Sequence, residues 1–122
     1  MHSLDLPAGP SIRLTAAARP NVGVHRWDLR ITSASGPTVA FGSQIGGLDR
    51  VQHVDIPAQS MACRVEISAS HATIDGWLDD QWVVVEDTPN RLKLGFCNAR
   101  STTAQEDDVS VSLAFNGAKR SD

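Results

Sequence analysis

Apolar residues recur at every second position along most of this chain. Ile12, Leu14 and Ala16 alternate with Arg13 and Thr15, and Trp27, Leu29 and Ile31 alternate with Asp28, Arg30 and Thr32. The same period returns in Val39 and Phe41, in Val54 and Ile56, and in Cys63, Val65, Ile67 and Ala69. It closes the chain in Leu92, Leu94 and Phe96 and in Val109, Val111, Leu113 and Phe115. Successive side chains of a strand point to opposite faces, so this pattern sets one face of each segment against a core and the other in water. Trp82-Val83-Val84-Val85 is apolar on both parities and reads as a more central strand, or as one whose second face a partner covers.

Turn chemistry separates these segments: Pro7-Ala8-Gly9-Pro10, Arg19-Pro20-Asn21, Ser35-Gly36-Pro37, Gly46-Gly47, Asp75-Gly76 and Thr88-Pro89-Asn90. Gly46-Gly47 is read as a tight turn rather than a phosphate cradle. No stretch keeps a helical period, and Pro20 would end any helix begun in the Ala-rich run before it. About eight short strands with a core of medium-sized Val, Leu and Ile predict an all-β domain. Its expected form is an antiparallel two-sheet β-sandwich.

Length and charge narrow the function classes. The 122 residues suit one domain, placed at 1–117, with a polar and flexible tail at 118–122. Eleven Lys and Arg scattered among fourteen acids make no basic stripe, which argues against nucleic acid. No apolar run is long enough to span a bilayer as a helix, so no membrane partner is expected. The start, Met1-His2-Ser3-Leu4-Asp5, lacks the pattern of a signal peptide. The expected compartment is the cytoplasm, with secretion by a leaderless route, or after removal of a signal, left open. Cys63 shares parity with core candidates, whereas Cys97 follows Phe96 and is expected to point outward. Side chains on opposite faces do not meet the geometry of a disulfide, so two reduced thiols are expected.

Chemistry concentrates in two places. The stretch His71 to Trp82, read as a loop, holds Asp75, Trp77, Asp79 and Asp80. An indole stacks on the apolar face of a sugar ring and carboxylates accept from its hydroxyls. Trp77, Asp75, Asp79, Asp80 and His71 are therefore the candidate ligand-binding residues. A plain structural role, with Trp77 packed over one end and the acids solvated, is the competing reading. Trp82 is read as a core or interface residue. The second place is Glu106-Asp107-Asp108, whose oxygens are candidate ligands for Ca²⁺, although neighbouring residues on a strand face opposite ways. No nucleophile elbow, CxxC or His pair at metal spacing occurs, and Asp79 and Asp80 are too close in sequence for a glycosidase pair. The chain is read as a non-enzyme.

Leu4-Asp5-Leu6-Pro7-Ala8 with Ile12-Arg13-Leu14-Thr15-Ala16, and Leu92-Lys93-Leu94-Gly95-Phe96 through Asp107-Asp108-Val109 to Phe115, resemble the two ends of small calcium-dependent bacterial lectins of the fucose- and mannose-binding type. The resemblance implies a dimeric β-sandwich in which calcium bridges protein and sugar hydroxyls. Only Asp107 and Asp108 fall on that family's acidic positions. Arg100 to Gln105 lacks its alternating acids, and residues 118–122 extend past the point where its terminal carboxylate completes the metal set. The resemblance therefore supports the fold more than the ion. The expected function is a lectin-like, carbohydrate-directed binding module. The alternative is a protein–protein interaction or self-assembling module, a homodimer through the Trp82 strand.

Overall fold

The structure, a computed structural model, describes residues 1–20, 23–33, 36, 38–97 and 108–119. These contain ten strands rather than eight: β1 (His2–Leu6), β2 (Ser11–Ala18), β3 (His25–Ser33), β4 (Val39–Ile45), β5 (Val51–Ile56), β6 (Cys63–Thr73), β7 (Gly76–Asp79), β8 (Gln81–Thr88), β9 (Arg91–Cys97) and β10 (Val109–Asn116). No helix is present among the described residues. The two additional strands, β1 and β7, are short: β1 alternates over five residues and buries only Leu6 fully, and all four residues of β7 are exposed.

The strands form two antiparallel sheets. The first runs β1-β6-β3-β4, with β7 pairing the far end of β6; the second runs β5-β2-β10-β9-β8. Their inner faces meet in one core that includes Leu14, Trp27, Leu29, Ile67, Leu94, Phe96 and Leu113, each at most 1 % exposed. The expected parity of every one of these strands holds, because burying the alternate set fixes the register: a slip by one residue would turn the whole set to water.

One long side of the sandwich is closed by polar side chains. Trp27 Nε1 donates to Gln52 Oε1 at 2.8 Å, and Gln52 Nε2 donates to the Gln44 carbonyl at 2.7 Å and to Asp49 Oδ2 at 2.9 Å. The tight turn beneath this staple needs Gly46. Its φ is +127°, and a Cβ there would sit 2.4 Å from the Gly23 carbonyl oxygen. On the opposite side the edge strands β1 and β8 meet through His2 and Trp82, edge to face at 5.0 Å.

Three expectations change. The Trp82–Val85 segment is not central: β8 is the edge of its sheet, and Trp82, Val84 and Val85 are 39–42 % exposed. Cys97 lies opposite in parity to Phe96, as alternation requires, yet it is 8 % exposed rather than outward. Parity selects a face, and β9 is flanked on both sides by β8 and β10. Neither Cys63 nor Cys97 forms a disulfide. Lys119, in the expected tail, is 7 % exposed; its N–H donates to the Pro89 carbonyl at 2.7 Å and its ammonium to Asp87.

Candidate functional site

The His71–Trp82 stretch is not a loop. His71 to Thr73 end β6, Thr73 to Gly76 make a tight hairpin, and Gly76–Asp79 return as β7. Thr73 Oγ1 donates to the Gly76 carbonyl at 2.7 Å and accepts from the Asp75 N–H at 3.2 Å, while Gly76 takes φ +115°. Asp80 is the single residue between β7 and β8, where the chain leaves one sheet for the other. The candidate residues are thereby divided between two faces.

Trp77 and Asp79 point outward. Trp77 pairs with Ala72, and Asp79 with Ser70, on the face of β6 opposite to its core residues. With only the Ala72 methyl opposite it, the indole is 43 % exposed. Ser70 in turn faces Arg26 on β3, so Asp79, Ser70 and Arg26 form one row across three strands. The next row toward the middle of the sheet is Ser68, Asp28 and Gly42. Arg26 Nε donates to Asp28 Oδ1 at 3.1 Å, and a Cβ on Gly42 would lie 2.6 Å from that same oxygen. Glycine there leaves the room that the Asp28 carboxylate occupies. Asp75 sits at the exposed hairpin tip.

Asp80 and His71 point inward, and with His25 they form a buried cluster. His25 Nδ1 lies 2.9 Å from Asp80 Oδ2, and His71 Nδ1 lies 2.6 Å from Asp80 Oδ1. The side chains of His25 and Asp80 are fully buried and that of His71 is 17 % exposed. With each Asp80 oxygen accepting from one ring, each ring carries a hydrogen on Nδ1. The Asp80 N–H also donates to the Ala69 carbonyl at 2.8 Å. Asp80 is thus closed to a ligand and leaves the binding set; sequence neighbours on an extended chain face opposite ways, so only Asp79 of the pair reaches solvent. The sequence spacing of the histidines shows no pair. His25 and His71 are directly paired across β3 and β6, with ring centroids 6.1 Å apart. The signal was their parity, since each extends the inward set of its own strand.

Of the expected calcium ligands, Glu106 and Asp107 lie outside the described residues. Asp108 opens the way into β10: its N–H donates to the Phe96 carbonyl at 2.9 Å and its own carbonyl accepts from Arg19 at 2.9 Å. Its carboxylate is 4.0 Å from His25 Nε2. Among the described residues no group of three His, Cys, Asp or Glu is arranged to hold a metal ion.

No family model matches the chain, and no curated protein matches it. Among solved structures it is similar to the Ralstonia solanacearum high-affinity mannose-binding lectin, with a TM-score of 0.54 and 16 % identity over 91 % of this chain and 93 % of that one. A likeness at that identity is one of fold.

Proposed function

We propose that this protein is a non-enzymatic binding module directed at carbohydrate. The observation that carries the reading is Trp77: a large amphipathic ring held 43 % exposed on a strand, with the Asp79 carboxylate on the same face two residues away. The lectin-like fold supports the class of ligand without choosing among sugars. In this reading the indole stacks on the apolar face of a pyranose and Asp79 accepts from its hydroxyls. That contact set requires no ion, so binding persists in EDTA. A glycan array read with and without EDTA tests the proposal, together with Trp fluorescence. The expected result is a set of neutral glycans bound equally in both buffers by the wild type and lost in Trp77→Ala. Silence across a broad array, with no change in Trp emission, would overturn it.

A second reading rests on β8. An edge strand carrying Trp82, Val84 and Val85, each about two-fifths exposed, is a template for another strand. Its acids, Glu86 and Asp87, lie together toward its C-terminal end, so an antiparallel copy sets them at opposite ends whereas a parallel one stacks like charges. We propose a two-fold homodimer through β8. Light scattering is expected to give twice the chain mass of 13.1 kDa for the wild type, and the chain mass for Val84→Lys. A monomeric wild type at high concentration refutes this reading and leaves the first untouched.

A further inference from the structure

The outward face of the β6 sheet holds more than Trp77 and Asp79. Its floor includes small side chains, Ala72 and Ser68 on β6 and Ala40 on β4, while the Asp28 carboxylate fills the room above Gly42 and Ser70 is only 9 % exposed. Small residues on consecutive rows of a sheet leave the backbone uncovered and make a hollow between longer neighbours. A depression of about 320 Å³ opens there, lined by Asp28, Arg30, Ala40, Glu66 and Ser68, with Met1 at its rim.

The charges around this floor are mixed. Arg26 and Asp28 are paired, each 45 % exposed. Arg30 and Glu66 stand opposite each other across β3 and β6, yet neither forms an ion pair among the described residues, and neither does Asp79. Two guanidinium groups against three carboxylates leave the face close to neutral, which gives no grip on a polyanion or a polycation. It gives donors and acceptors in alternation, with charge-assisted strength, to a ligand that is itself rich in hydroxyls.

The geometry points to an extended oligosaccharide-binding face, running from Trp77 diagonally across β6 and β3 into the hollow beside Arg30 and Glu66. This inference rests on the carbohydrate reading above and adds the size of the ligand and its path. Trp77 lies at the level of Ala72, and Asp28 lies at the level of Ser68, two strands over. Four residues of strand rise and two strand spacings put them about 16 Å apart. One sugar ring covers one end of that span and cannot reach the other. A linear chain of several neutral units stacks one ring on Trp77 and sets later hydroxyls against Asp79, Arg26 and Asp28, and then Arg30 and Glu66.

The test is a length series. Neutral manno- and gluco-oligosaccharides of one to six units are titrated calorimetrically, in EDTA, into the wild type, Trp77→Ala, Ser68→Arg and the control Ser112→Arg. Ser112 faces outward on the other sheet. Circular dichroism checks that every variant is folded. The expected result is affinity that rises at least about tenfold from one unit to three or four and then levels off. Ser68→Arg, filling the hollow, removes that gain while leaving single-unit binding in place; Trp77→Ala weakens every length, and Ser112→Arg changes nothing. If the series binds with no dependence on length, or Ser68→Arg leaves the gain intact, the extended face is wrong and the carbohydrate reading stands. If no member of the series binds, this proposal falls, and the array decides whether the broader reading falls with it.

Discussion

Asp80→Ala is the substitution whose cost the structure defines most sharply. The carboxylate accepts at both oxygens, from His25 at 2.9 Å and His71 at 2.6 Å, with its own side chain wholly buried. Removing one partner of a buried hydrogen bond leaves the other to bear its desolvation, about 1–3 kcal/mol. His25 is fully buried, so water does not reach its ring, whereas His71, 17 % exposed, recovers part of that cost from water. The expected loss is about 3–4 kcal/mol, in line with the breaking of buried polar pairs elsewhere. With about 2.1 cal/mol/K per residue of unfolding entropy, the fall in Tm is about 12–16 °C. Asp79→Ala, one residue away and exposed, is expected to stay within about 0.5 kcal/mol. Asp80→Asn falls between them at about 1–2 kcal/mol, since its amide oxygen satisfies one ring and its NH₂ serves the other only after a change of tautomer. Urea unfolding with linear extrapolation measures all three, provided the m-values agree. Adding His25→Leu to Asp80→Ala should return part of the loss, because only His71, which water reaches, then lacks its Asp80 acceptor. If Asp80→Ala costs no more than Asp79→Ala, the cluster does not stabilise the fold as described.

Gly46→Ala forces a Cβ to 2.4 Å from the Gly23 carbonyl in a backbone conformation that side chains rarely adopt, so a loss of about 1–3 kcal/mol is expected in the same unfolding assay. Gly47→Ala, at φ +65° with open space around its Cβ, should cost less. Burial against Trp82 lowers the pKa of His2 below its ordinary value of 6.5; the Met1 amino group and Lys119 act the same way and Asp87 opposes them. The unfolded chain therefore binds the proton more tightly than the folded one. The contribution of His2 is fully present above pH 6.5 and declines as the pH falls through that value toward the folded pKa. His2→Gln should remove this part of the acid-side loss in a plot of urea midpoint against pH, and an unchanged profile would refute it.

Much of the fold is legible in the sequence because a sandwich core demands a strict period of two, and Leu14, Leu29, Ile67 and Leu113 obey it. What period cannot show is order in the sheet. Trp82-Val83-Val84-Val85 looks like a buried central strand, and it is an edge; both cases produce continuous apolar runs, and neighbours remote in sequence decide between them. β7 was hidden for the opposite reason. All four of its residues are exposed, so no core-facing member marks it, and its pairing rests on backbone bonds to β6 and on the Thr73–Gly76 turn. The candidate site was legible as a list and not as an arrangement. Asp79 and Asp80 are alike in sequence, and only the crossing between sheets shows that one faces solvent and the other two imidazoles.

That division gives Asp80 a role in the face it does not touch. β7 buries none of its own side chains, and a four-residue strand held by one ladder opens easily. Two attachments keep it against β6: the hairpin turn at its start and, at its end, Asp80, locked by two imidazoles and the Ala69 carbonyl. If the cluster is what holds Trp77 in place, weakening it should loosen β7 well before the sandwich unfolds. In Asp80→Asn, amide hydrogen exchange is therefore expected to speed up at residues 76–79 far more than at Leu94 or Val111 in the core, under conditions where the protein remains folded. Exchange that accelerates equally in β7 and the core would mean that the cluster supports the domain as a whole and does not position the Trp77 face. Asp79→Asn, which leaves the anchor intact, should show neither change.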